Sequence, residues 1–121
     1  MNIILKLLPS GVTETEYVES PLNDDFFSER IGDMEEIPYL HAFENRNIAF
    51  LQNESAKLLC LDPTVKIVKD GSVIDILCGN ILVVATDGEN YIGLNSEQEA
   101  FVKANLKTAP ISLPTPYLLI T

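Results

Sequence analysis

Apolar and polar positions change rhythm along this chain, and the changes outline its elements. Asn2–Leu8 is nearly continuous Ile and Leu. Pro9-Ser10-Gly11 is a turn, and Val12–Glu19 alternates Thr, Glu and Val as a half-exposed strand does. The two runs predict an N-terminal hairpin. Ser20-Pro21 then has the form of a helix start, with Ser at the cap and Pro at the first helical position. Asp24 and Asp25 fall in the first turn, where the helix dipole favours acids, and Gly32 is a fitting stop. A short helix over about 20–31, burying Phe26, Phe27 and Ile31, is the expectation.

Beyond it the period is mostly two. Ile37–Phe43 reads as a β segment with Pro38 at its start or on an edge. Ile48–Gln52 reads as a strand, and Lys57–Leu61 as its return, with a short helix from Ser55 as the rival. Thr64–Val68 and Val73–Cys78 flank the turn Lys69-Asp70-Gly71-Ser72. Ile81–Thr86 is β-branched, uncharged and bounded by turns, which marks a core strand. Asp87-Gly88-Glu89-Asn90 leads to Tyr91–Leu94 as a hairpin turn. Ser96-Glu97-Gln98-Glu99 fits a capping box for a helix over 96–105 that buries Phe101 and Val102. The tail, 108–121, is proline-rich and ends apolar; it would add an edge strand or cover an open sheet edge. The pattern implies one α+β domain over 1–121, with a mainly antiparallel, strongly bent sheet and two short helices (about 20–31 and 96–105).

Composition adds little to the fold and more to the function. With 121 residues, 46% of them hydrophobic, the chain can build a core without disulfides. Cys60 and Cys78 sit inside apolar runs and read as small buried hydrophobes. No run approaches the roughly 18 apolar residues of a membrane span, and Lys6 interrupts the N-terminal apolar stretch. The reading is therefore no membrane and a cytoplasmic location.

The net charge of −10 is unevenly placed. Residues 13–36 hold nine acids (Glu14, Glu16, Glu19, Asp24, Asp25, Glu29, Asp33, Glu35, Glu36) against Arg30 alone, a net −8. The eight Lys and Arg of the whole chain are scattered, which argues against direct nucleic-acid binding, where cationic contacts to phosphate dominate affinity. The complement of the acidic segment is a basic protein surface. A solvated face that keeps the protein dissolved has the same composition.

Chemistry is sparse. His41 is the single histidine, with no Cys beside it to suggest zinc. There is no Gly-x-Ser-x-Gly elbow and no glycine-rich phosphate loop. Asp24, Asp25, Asp33, Glu35 and Glu36 have hard-cation chemistry, but their spacing matches no calcium loop. The expectation is no catalytic residue, no metal, no cofactor and no enzyme activity.

Asn53-Glu54, Lys57-Leu58, Leu61-Asp62-Pro63, the run Ile74–Val84 and the step Leu94–Gln98 carry a resemblance. Over residues 45–102 the chain resembles a family of small domains of unknown function found in phages, plasmids and other mobile elements. It departs from that pattern at Ala56, where Gly is usual, and at Val65-Lys66, where an Asn-Arg pair is usual. The family has no agreed activity, so the resemblance implies no catalytic residue. It implies a mobile-element gene, and with it a binder that inhibits or modulates a host defence or regulatory protein. The alternatives are a small-ligand, nucleotide-like binding module or sponge, and a structural or assembly protein; a homo-oligomer stays open.

Overall fold

The computed structural model describes residues 1–9, 11–38, 40–107 and 115–120, with 119–120 in backbone only. The chain is α+β and mainly antiparallel, with its strands divided between two sheets. The first sheet holds β1 (Asn2–Leu7), β2 (Thr13–Val18), β3 (Met34–Glu36), β4 (Ile48–Asn53), β7 (Ile81–Thr86) and β8 (Tyr91–Ile92). Its order is β2-β1-β7-β4-β3, with β8 also paired to β7. The second holds β5 (Pro63–Lys69), β6 (Ser72–Cys78), β9 (Leu106–Lys107) and β10 (Tyr117–Ile120), in the order β6-β5-β10-β9. The helices are α1 (Asp24–Ile31), the single turn α2 (His41–Glu44) and α3 (Ser96–Asn105).

Strand alternation explains the layering. On β1, Ile4 points to one face and Leu5 and Leu7 to the other. Ile4, Ala49, Leu51, Leu82 and Val84 bury against Phe26, Phe27 and Ile31 of α1. Leu5, Leu7, Phe50, Ile81 and Val83 bury against the second sheet through Val65, Ile67, Leu77 and Leu118, with Phe43 of α2 and Val102 of α3 alongside. The first sheet is therefore the middle layer. Its central strands β4 and β7 are apolar on both faces because both faces are covered.

The expected hairpin is present, β1 pairing with β2 from Asn2↔Val18 to Leu7↔Thr13. So is the turn after β7, where the Asp87 carboxylate accepts from the Glu89 and Asn90 amides. Both helices begin elsewhere than expected. Asn23, not Ser20, caps α1 by accepting from the Phe26 amide at 3.0 Å. Leu22 before the cap and Phe27 after it share one buried cluster, a hydrophobic staple that fixes the entry of the chain. The capping box of α3 lies one residue early, on Asn95 and Gln98, with reciprocal bonds of 2.9 and 2.8 Å. Asn95 is the cap because its backbone is extended while Ser96 is already helical.

Three segments depart from their expected form. Ile37–Phe43 is not a strand: the pairing lies earlier, at β3, and 41–44 forms α2. Lys57–Leu61 is a chain of turns, closer to the helical rival. Asn53 starts it by accepting from the Ser55 amide at 2.7 Å, and Leu59 N donates to Ser55 O at 2.9 Å. Leu58 and Leu59 are consequently 86% and 60% exposed, and Cys60 is exposed rather than buried. The tail is no edge. β10 runs parallel to β5, Tyr117↔Lys66 to Ile120↔Lys69, and antiparallel to β9, so it is an interior strand. The tail residues 108–114 and 121 lie outside the described residues.

The edges of the second sheet are β6 and the two-residue β9, and β6 is the long one. It carries a bulge opposite Ile67/Val68, and the Asp75 carboxylate caps the Ile76 amide at 2.8 Å while receiving Lys57 Nζ at 2.5 Å. A bulge and a charged pair both oppose edge-to-edge strand addition.

Candidate partner-binding face

The nine acids of segment 13–36 do not form one surface. Pairing register decides where each goes, because directly paired residues point to the same face. Glu14 and Glu16 pair with Lys6 and Ile4, which puts them on the α1 side of the first sheet. There they are neutralised: Lys6 Nζ lies 3.5 Å from Glu14, and Arg30 Nη1 donates to both oxygens of Glu16 at 2.6 and 2.5 Å. Arg30 also lies 4.7 Å over the Phe26 ring. Glu35 is paired with Gln52 and accepts from its Nε2 at 2.7 Å, on the face away from α1.

The other acids are on the α1 side or its margins. Asp24 and Asp25 occupy the first turn of α1, and Asp33 follows its Gly32 stop. All three line an open depression of about 510 Å³ together with Glu54, a residue outside the acidic segment. Glu54 is brought there by the turn after β4, where its amide donates to Asp33 O at 2.9 Å. None of these four carboxylates has an ion pair among the described residues. Phe27 and Met34 form the apolar part of the depression.

Glu36 borders this region. It accepts the Tyr91 hydroxyl at 3.2 Å, and Tyr91 stacks edge-on against Phe27 with centroids 5.5 Å apart. Burial, then the Glu36 carboxylate, pushes the Tyr91 phenol above its ordinary value, with Asp24 adding in the same direction. That electrostatic link places Asp24 and Glu36 in one acidic field. Glu19 and Glu29 are exposed.

The remaining chemistry stays dispersed. His41 is exposed and lies 3.2 Å from Glu44 on the same helical turn. Among the described residues no three His, Cys, Asp or Glu groups come close enough to hold a metal ion. Cys60 and Cys78 are free thiols, and burial pushes the Cys78 thiol up. No described helix is long and apolar enough to cross a membrane.

Sequence reasoning missed Glu54, because nothing local links it to Asp33. It also missed Gln52, which is 6% exposed. Here a signal existed: a lone amide continuing the apolar run Ile48-Ala49-Phe50-Leu51 is a buried polar group. Comparison with protein-family models, with curated proteins and with solved structures found no match for this chain.

Proposed function

We propose that this protein is a small acidic binding protein from a phage or mobile element, which docks on a basic surface of a host defence or regulatory protein and inhibits or modulates it. The mobile-element origin is supported by the resemblance over residues 45–102. The docking face is supported by one observation: Asp24, Asp25, Asp33 and Glu54 converge on a single open depression without a neutralising cation among the described residues. Glu14 and Glu16 are removed from the contact by their own ion pairs, and Glu35 by its orientation.

Four carboxylates around an open depression attract a positive surface and speed its encounter. They also repel phosphates, which counts against the nucleotide-binding alternative at this position. Phe27 and Met34 offer the apolar contact that a docking face needs beside its charge.

The test is a pull-down from host lysate with the wild type and with Asp24→Asn/Asp25→Asn/Asp33→Asn/Glu54→Gln. A partner retained by the wild type, released by salt and lost by the variant supports the face. Equal recovery of one partner by both proteins removes it.

A further inference from the structure

The eight Lys and Arg of this chain divide by layer. Lys6, Arg30, Lys57 and Lys103 each hold a carboxylate, and Arg46 stacks over the Phe101 ring. The other three, Lys66, Lys69 and Lys107, all lie on the second sheet, and none has an ion pair among the described residues. Lys69 stands beside Asp70 at the turn into β6. Register puts Lys66 and Lys107 on the outer face of the sheet. Val65, Ile67 and Leu118 point into the core, so their strand neighbours Lys66, Val68 and Tyr117 point away from it. Lys66 pairs with Ile76 on one side and Tyr117 on the other, and Tyr117 pairs with Lys107. Directly paired residues share a face. Ile76, Lys66, Tyr117 and Lys107 therefore form one row across β6, β5, β10 and β9. Val73 and Val68 pair in the next row, with Val73 51% exposed. No acid stands at any of these positions.

We propose that this outer sheet face binds the acidic depression on the α1 side of a second copy of the chain, so that copies associate head to tail. The inference rests on the reading of that depression as a docking face, and names its occupant when no basic partner is present.

The two faces match in charge and in polarity. The depression brings Asp24, Asp25, Asp33 and Glu54 beside Phe27 and Met34, without a neutralising cation among the described residues. The sheet face brings two ammonium groups on either side of a phenol hydroxyl, beside Ile76, Val68 and Val73. Neighbouring strands lie roughly 4.8 Å apart, so the three donors reach across roughly 10 Å and can meet several carboxylates at once. Lysine suits such dispersed carboxylates, because its charge is a point on a flexible stem. The acidic surface that complements this row is carried by the same chain, so every copy meets its own partner.

The geometry sets the mode of assembly. The first sheet is the middle layer between α1 and the second sheet, so the two faces lie on opposite sides of the molecule. One copy can use both at once. The contact is heterologous, and association does not stop at a dimer. The net charge of −10 on each copy opposes it, which holds the affinity to a Kd on the order of 0.1–1 mM. A basic partner and a second copy then compete for one depression, and dilution frees it.

The test is sedimentation equilibrium of the full chain at concentrations up to about 1 mM. The weight-average mass should climb with concentration and pass that of a dimer. Lys66→Gln/Lys107→Gln should weaken association at least about tenfold. Lys57→Gln/Lys103→Gln removes the same two charges elsewhere, taking −10 to −12 in both cases, and should leave association within about twofold. Asp24→Asn/Asp25→Asn/Asp33→Asn/Glu54→Gln takes −10 to −6. That change relieves general repulsion and would strengthen a nonspecific association, but here it should weaken association at least about tenfold. Each variant keeps one working face, so an equimolar mixture of the Lys66/Lys107 variant and the acid-face variant should form a pair and grow no further. A monomer at every concentration, a wild-type mass that levels off at two chains, equal weakening by the control pair, or an acid-face variant that associates like the wild type overturns the inference. So does a monomer that captures some other acidic protein through Lys66 and Lys107. The two readings fail separately. Head-to-tail growth without any basic partner recovered from lysate overturns the proposed function alone. A strict monomer that captures a basic partner through its α1 face overturns the self-association alone.

Discussion

Replacing Gln52 by Met keeps an unbranched chain of similar length and deletes both polar atoms. Two effects oppose each other. The variant removes the unpartnered, buried Oε1, whose desolvation costs about 1–3 kcal/mol in the native state. It also removes the 2.7 Å bond from Nε2 to Glu35. Glu35 is exposed and recovers water, so that loss is held to about 0.5–1.5 kcal/mol. The balance runs from about 0.5 kcal/mol of destabilisation to about 2.5 kcal/mol of stabilisation. In a domain of this size 1 kcal/mol moves Tm by about 4 °C. The neighbouring Leu51→Ala calibrates the scale: Leu51 is fully buried, and its truncation should cost about 2–5 kcal/mol. Urea melts of the three proteins would show the Gln52→Met midpoint close to or above that of the wild type, with unchanged m, and the Leu51→Ala midpoint far below. A Gln52→Met midpoint that falls toward that of Leu51→Ala would mean that the oxygen has a donor in solution.

Other expectations follow from the same geometry. A Cβ on Gly93 would stand 2.8 Å from Asn2 Cα and Ile3 N, where Leu94 N bonds Ile3 O at 2.7 Å and holds the strands together. Gly93→Ala should therefore cost about 1–3 kcal/mol in a denaturant melt, and a melt like the wild type's would refute the close approach. Cys60 should react with a thiol reagent at once and Cys78 only on unfolding, read as a one-then-two stoichiometry; two fast thiols would contradict the burial of Cys78. Because the folded Tyr91 holds its proton above the unfolded value near 10, the native state binds more protons through that range. Stability is then fully present below pH 10 and declines as pH rises beyond it. Tyr91→Phe should flatten that decline in urea midpoints taken between pH 9 and 11, and an unchanged slope would refute the assignment. Arg30→Gln breaks a partly exposed pair with Glu16 and should cost no more than about 1 kcal/mol, with salt reducing the difference.

What the sequence determined by itself is local. The alternation of Val12–Glu19 after an apolar run, the turn at Asp87–Asn90, the helical spacing around Phe26, Phe27 and Ile31, and the stop at Gly32 each depend on neighbours a few residues away. Their physical causes are strand and helix periodicity, side-chain bonds to nearby amides and glycine's access to positive φ. Helix starts slipped by one to three residues because several capping side chains stood in a row and the chain uses one.

Tertiary structure decided whatever depended on distant pairing. β10 became an interior strand because β5 and β9 both offered it hydrogen bonds. The leucines at 58 and 59 stayed outside because Asn53 bent the chain into turns before they could pair. The charge count of segment 13–36 was legible, but its division was not. Register sent Glu14 and Glu16 to Lys6 and Arg30 and turned Glu35 to the opposite face. The bond from Glu54 N to Asp33 O then supplied the fourth carboxylate from outside the segment. A strand's side chains alternate by single residues, so one step along β3 separates Glu36, bonded to Tyr91 on the α1 side, from Glu35, bonded to Gln52 on the other. Composition cannot see that step.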